Sequence, residues 1–296
     1  MHRAMSEDAL PSLKEIRDEI DQIDDQVHDL LMARAELVSS VARAKRGEGM
    51  QIVQPAREAR LVRRLLGRHH GVLPRRTIIR IWRELISSVS MLQTGLKVVV
   101  TSDGDRGNAR WDMAKNYFGS SLPMRSLGGV QNALSEVLDG RASFAVMPWP
   151  ELDDETPWWA SLFNRQGQNP LSIVCALPYS KTERLHNSDV YEKALIVARL
   201  SFMDSDCDNS FLGIELDAQV SRARILEYAK DSGLDLLNIY AAPVVHNNAA
   251  KVYLLLVQGC VKRDSQQLSD FAERFGQACY YCDVLGGYPV IPDNSN

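Results

Sequence analysis

Residues 12–45, SLKEIRDEIDQIDDQVHDLLMARAELVSSVARAK, repeat their apolar side chains along two rails. Leu13, Ile20, Val27 and Val41 form one, and Ile16, Ile23, Leu30 and Leu37 the other. This heptad spacing predicts one long helix with an apolar seam. Arg34 stands on the first rail, where Leu or Val would be expected, and sends a guanidinium into the seam; Arg17 and Lys45 sit beside the other rail. A helix rises about 1.5 Å and turns about 100° per residue, so Arg34 and Lys45 share a face roughly 16 Å apart and can converge on one small anion. Arg17 is roughly 42 Å from Lys45, beyond the reach of any side chain. If all three cations serve one ligand, Arg17 comes from a second copy, in an antiparallel pair with its two-fold near His28.

The composition excludes several classes of function. A chain of 296 residues, 45% hydrophobic and 24% charged, can build two or three cores. Its net charge of −4 argues against nucleic acid as the main partner. Residues 1–11 lack the apolar core of a signal peptide, and no run of eighteen apolar residues occurs, so the expectation is a cytoplasmic protein without a membrane partner. Five scattered cysteines fit a reduced compartment. Cys279 and Cys282 spell C-x-x-C inside a strand-like segment, a weak metal or redox signal, and read as buried strand cysteines.

Pro55 can open a second helix, since its missing N–H costs nothing in a first turn; Arg57 and Glu58 follow, with Leu61, Val62, Leu65 and Leu66 as the apolar face and Gly71 as the stop. A third helix starts at Pro74, with Ile78, Ile81, Trp82, Leu85, Ile86, Val89 and Leu92 on its buried side. Gln93 continues that stripe, and an amide there needs a hydrogen bond that a ligand could supply.

Residues 12–45, then PAREARLVRRLL (55–66), then IIRIWRELISSVSMLQ (78–93), resemble the all-helical chorismate mutase family over roughly residues 11–95. By that resemblance, Arg17 is contributed across a homodimer built on the first helix, and Arg34 and Arg57 hold the substrate carboxylates or their surroundings. Lys45 and Gln93 meet the ether oxygen, and Glu58 the ring hydroxyl of chorismate. Gln54 stands where the family often has Asp, and Val89 where it often has Ser. The reaction this implies is intramolecular: one carbon–oxygen bond breaks while a carbon–carbon bond forms. It needs no nucleophile, metal or cofactor, only a clamp that folds a dianion into its reactive conformer and donors for the charge growing on the ether oxygen.

At Gly95 the Arg-rich helical pattern gives way to short apolar strands. Segments 98–101, 109–117, 123–127, 131–138 and 142–148 read strand, helix, strand, helix, strand, a small parallel sheet, with a further strand at 171–177. With SLGGVQNALSEVLDGRASFAVMPWPE at 126–151, the stretch over roughly residues 96–180 resembles the first lobe of prephenate dehydratase, with the second lobe missing. From 211 to 285 the order β-α-β-β-α-β predicts a ferredoxin-like sandwich, and with the ending DVLGGYP it is similar to an ACT regulatory domain. The expected fold is therefore multi-domain: an all-α three-helix mutase domain (1–95), a small α/β lobe (96–185) and a ferredoxin-like α+β, ACT-like domain (186–296).

The functional expectation is chorismate mutase activity without dehydratase activity. Where related dehydratases carry Thr-Arg-Phe, this chain has Glu192-Lys193-Ala194, and their Gly-rich loop has become Asp103-Gly104-Asp105-Arg106-Gly107. The Gly-Ala-Leu and Glu-Ser-Arg of the related regulatory domains stand here as Val220-Ser221-Arg222 and Tyr240-Ala241-Ala242. The alternatives are an isochorismate pyruvate lyase-like enzyme, which would use similar cations, and a non-catalytic regulator that binds a metabolite.

Overall fold

The computed structural model describes residues 12–47, 53–102, 107–152, 157–163, 170–180, 192–242 and 250–292. The chain forms two compact units, Met1–Ile52 and Val53–Asn296. The first contains α1 (Leu13–Gly47), unbroken as the heptad predicts. Its start is a reciprocal cap: the Ser12 N–H donates to Glu15 Oε2 at 2.7 Å, and the Glu15 N–H donates to Ser12 Oγ at 3.3 Å. Two of the N–H groups left unpaired at a helix start are satisfied in this way, and the S-x-x-E spelling of 12–15 is its signal. Both rails face solvent: Leu13, Ile20, Ile23, Leu30 and Leu37 are each half or more exposed.

The second unit begins with α2 (Pro55–Arg68) and α3 (Arg75–Thr94). Pro55 occupies the first turn of α2, as expected, and Ala56, Ala59, Val62 and Leu66 are its buried residues. On α3 the buried residues differ from the apolar stripe seen in sequence. Ile79, Arg83, Ile86 and Ser87 are buried, whereas Ile81 is 47% exposed. A guanidinium can occupy a core only with partners, and Arg83 has them (below).

The sheet follows. Strands β1 (Val98–Thr101), β2 (Met124–Leu127) and β3 (Phe144–Pro148) alternate with α4 (Gly107–Phe118) and α5 (Val130–Leu138), and β1 pairs in parallel with both β2 and β3. After a 3-10 turn at Trp158–Phe163 come β4 (Ser172–Leu177) and β5 (Ala194–Ala198). β5 lies between β3 and β4, antiparallel to both, so a segment beyond the expected 185/186 division pairs back into the α/β lobe. The remaining elements are β6 (Asp208–Asp217), α6 (Arg222–Asp231), β7 (Leu236–Ala241), β8 (Ala250–Gln258), α7 (Gln266–Glu273) and β9 (Cys279–Pro289), in the expected β-α-β-β-α-β order.

The α/β lobe and this last segment share one nine-stranded sheet, ordered β2-β1-β3-β5-β4-β9-β6-β8-β7. The two halves meet where Ile173 of β4 pairs with Gly286 of β9. Gly286 has φ +130°, and a Cβ there would stand 2.1 Å from the Ile173 carbonyl oxygen, so only glycine lets the strands close. Strand alternation then assigns the cores. Leu212, Ile214 and Leu216 face α6 and α7 with Ile225, Ala229, Leu268 and Phe271. Phe211, Leu254 and Leu256 face the other way, into a cluster with Trp158, Trp159, Leu162, Ala133 and Leu134 that spans both halves of the sheet. A third cluster joins Ala59, Val62, Leu66 and Ile79 of α2 and α3 to Val98, Val146, Val174 and Ile196 of the sheet, so these two helices share an interior with the strands.

Candidate active site

The six residues singled out in sequence divide between the two units. Arg17, Arg34 and Lys45 are on α1; Arg57 and Glu58 are in the first turn of α2, and Gln93 is near the end of α3. Arg17 and Arg57 are exposed, and Arg34 is partly buried, with burial pulling its guanidinium below the ordinary pKa. The side chains of Lys45 and Gln93 lie outside the described residues, though both positions are helical. Because α1 is continuous, the roughly 42 Å between Arg17 and Lys45 stands as an axial distance.

Glu58 has a role that the sequence did not reveal. Its Oε2 accepts a hydrogen bond from Arg83 Nη1 at 2.7 Å, in an ion pair whose side chains are 3% (Arg83) and 13% (Glu58) exposed. Arg83 Nε donates to the Tyr117 carbonyl at 2.9 Å, and the guanidinium lies 3.8 Å from the Tyr117 ring centroid and 5.3 Å from that of Tyr179. Burial works against the charge on Arg83, yet Tyr117, Glu58 and Tyr179 hold its pKa above the ordinary value. Burial also drives the Tyr117 and Tyr179 hydroxyls well above their ordinary range. A cavity of about 20 Å³ adjoins the pair, lined by Glu58, Arg83 and Ser87 among apolar side chains, room for about one water. The signal in sequence was an arginine between Ile79 and Ile86, one turn from each.

Burial pushes the nearby Cys175 thiol up to about 12 and that of Cys282 up to about 12, whereas Cys207 is exposed. Thiolates are the reactive form, so iodoacetamide at neutral pH is expected to label Cys207 first in the folded protein and all five cysteines after denaturation. Mass spectrometry of the peptides checks this, and early labelling of Cys175 would contradict the described core. Cys279 and Cys282 are half-buried free thiols on β9. Among the described residues, one group brings metal-ligating atoms together: those of Asp204, Asp208 and Cys260 lie within 4.8 Å of one another. The Ser205 N–H (2.7 Å) and hydroxyl already donate to Asp208.

In the α/β lobe, Arg110 is buried. Its Nε donates to the Thr101 carbonyl at 3.0 Å and its Nη1 to Glu192 Oε1 at 3.2 Å. The loop residues 103–106 lie outside the described residues. In the last segment, Ser221 caps α6 by accepting from the Arg224 N–H at 3.2 Å, and Arg222 Nη2 donates to the Ile239 carbonyl at 2.7 Å. The Tyr240 hydroxyl accepts from Trp149 Nε1 and from Asn238 Nδ2, each at 2.9 Å, which ties β7 to the end of β3. Among the described residues, no helix is long and apolar enough to cross a membrane.

This architecture is a helical region followed by a larger α/β sheet region. Residues 16–94 match the family described as chorismate mutase type II. Over 143 residues, the chain is 29% identical to the bifunctional chorismate mutase/prephenate dehydratase of Aquifex aeolicus, covering 47% of this chain and 39% of that protein. The protein of the same description from Stutzerimonas stutzeri is 29% identical over 141 residues, covering 46% and 38%. The matched stretch thus spans about two-fifths of these relatives. Among solved structures, similar chains include GqqA, described as a novel type of quorum quenching acylase (TM-score 0.49, 16% identity, 65% of this chain and 94% of that one). Another is prephenate dehydratase from Streptococcus mutans (TM-score 0.44, 13% identity, 67% and 100%).

Proposed function

We propose that this protein is a chorismate mutase that converts chorismate to prephenate in aromatic amino-acid biosynthesis, in the cytoplasm. The observation that carries this reading is the family match over residues 16–94, the stretch that contains all six polar positions. In this mechanism, Arg34 and Arg57, with Arg17 of a second copy, clamp the two carboxylates and hold the substrate in its compact conformer. Lys45 and Gln93 donate to the ether oxygen as its bond breaks, and Glu58 accepts from the ring hydroxyl. No group of the substrate leaves, so the protein need supply neither nucleophile nor acid. Purified protein should consume chorismate and form prephenate without releasing pyruvate from isochorismate; pyruvate release with no chorismate turnover would favour a lyase instead.

The second copy is a homodimer partner seated on α1. The exposed rails support this, because water-facing Leu and Ile at heptad spacing are what an antiparallel helix pair buries. Mixing Arg17→Ala chains with Lys45→Ala chains, each inactive alone, should restore part of the activity, since some mixed dimers carry one intact site. Mixtures that stay inactive despite demonstrated subunit exchange would mean that Arg17 does not act in trans.

The dehydratase-like lobe and the ACT-like segment are, in this reading, packing partners rather than a second enzyme and a sensor. Glu192 stands in place of the hydroxyl donor and occupies the Arg110 guanidinium with a carboxylate of the chain itself. Tyr240 and Arg222, which replace residues expected to grip an amino acid, are engaged within the fold. Prephenate incubated with the protein at neutral pH should yield phenylpyruvate no faster than it does spontaneously. Phenylalanine should leave both melting temperature and mutase kinetics unchanged; a dose-dependent shift in either would restore the sensor.

A further inference from the structure

The Glu58–Arg83 pair joins a residue of the proposed site to the sheet region. Arg83 lies mid-helix on α3, away from Gln93 near the end of that helix, yet it is 2% exposed. It has three kinds of partner. Nη1 meets Glu58 on α2, Nε meets the Tyr117 carbonyl at the end of α4, and the guanidinium plane lies against the Tyr117 ring. Ser87, one turn on, also donates to the Tyr117 carbonyl at 3.4 Å. A guanidinium held at both ends has little freedom to follow a wandering carboxylate, so α4 fixes Arg83 and Arg83 fixes Glu58. Among the described residues, Arg83 is the recorded side-chain partner of Glu58, and the bond uses Oε2 alone. The second oxygen can then accept from another donor.

We propose that Arg83 is a positioning residue for the mutase site, through which α4 of the α/β lobe sets the direction in which the Glu58 carboxylate points. The proposal rests on the reading that Glu58 accepts the ring hydroxyl of chorismate. It gives the sheet region a part in mutase catalysis that needs no second active site and no bound effector. A pair serving only to hold α2 against α3 would affect folding when broken, whereas a positioning pair acts on turnover through Glu58.

The experiment is a double-mutant cycle on the full chain with chorismate as substrate. Glu58→Gln and Arg83→Met are made singly and together, with Arg83→Lys and Tyr117→Leu alongside. Arg83→Met should lower kcat roughly 10- to 100-fold, with a smaller change in KM, as misplacement of a contacting group does. Arg83→Lys, which can keep the charge at Glu58 but not both ends of the fork, should recover part of that loss. Tyr117→Leu, which removes the ring against the guanidinium, should reduce kcat in the same direction. The decisive result is the double variant: Glu58→Gln/Arg83→Met should be no slower than Glu58→Gln alone. It also leaves no unpaired buried charge, so it reports even if Arg83→Met fails to fold. Losses that multiply in the double variant would overturn the proposal, as would wild-type kcat in Arg83→Met or, should that variant not fold, in Tyr117→Leu, while Glu58→Gln is impaired. Full activity in Glu58→Gln would instead remove Glu58 from the site, and with it the reading on which the proposal stands.

Discussion

In the proposed site, replacing Lys45 by Ala should lower the turnover of chorismate by at least about a hundredfold, the usual consequence of deleting one donor to a developing oxyanion, about 3 kcal/mol of barrier. The physical reason is that this reaction leaves the protein so little else to do. In the proposed reaction bond making and bond breaking occur within one molecule, and what the protein would supply is donors for the charge that accumulates on the ether oxygen. An ammonium at that oxygen gains strength as the bond stretches, so its loss should appear in kcat more than in KM. Lys45 is near the end of α1, and alanine is a better helix former than most residues, so the helix should persist. A Lys45→Ala protein with unchanged circular dichroism and near-normal turnover would remove the helical site from consideration.

The second large effect is structural. Gly286→Ala should destabilise the sheet region on the order of 3 kcal/mol or more, combining the cost of a side chain in a glycine-only conformation with that of overpacking. The added methyl would meet backbone rather than a yielding side chain, with the Ile173 carbonyl oxygen 2.1 Å away and its amide nitrogen 2.5 Å away. Relief therefore requires β4 and β9 to part. Thermal or urea unfolding measures the loss, and amide exchange should show it first around Ile173 and Gly286. A melting temperature equal to wild type would mean that the two halves of the sheet are not joined as described. Gly286 belongs to the DVLGGYP ending, so the first glycine of that stretch has a steric requirement here.

What could be read in the sequence was whatever repeats. The α1 rails recur every seven residues over almost five heptads and gave the helix to within two residues at each end. The order of strands and helices from 211 to 285 was equally plain. β5 was not, because Ala194–Ala198 is buried throughout and carries no alternation; its place between β3 and β4 comes from pairings between residues far apart in the chain. The rotation of α3 was hidden for a different reason. Periodicity counts apolar residues, and the most deeply buried face of that helix is centred on Arg83. Glu58 was legible as a candidate but its partner was not, since the carbonyl and ring that fix Arg83 belong to Tyr117, thirty-four residues away.

The cluster that unites Ala59, Val62, Leu66 and Ile79 with Val98, Val146, Val174 and Ile196 has a bearing on descent. A seam of this kind is an interior, and recombination through the stretch between α3 and β1 would expose it on both products. The two helices and the sheet would then be inherited as one piece. Substitutions in the strands would be filtered by what α2 and α3 can tolerate against them, so this half of the chain is held to its packing whatever it binds.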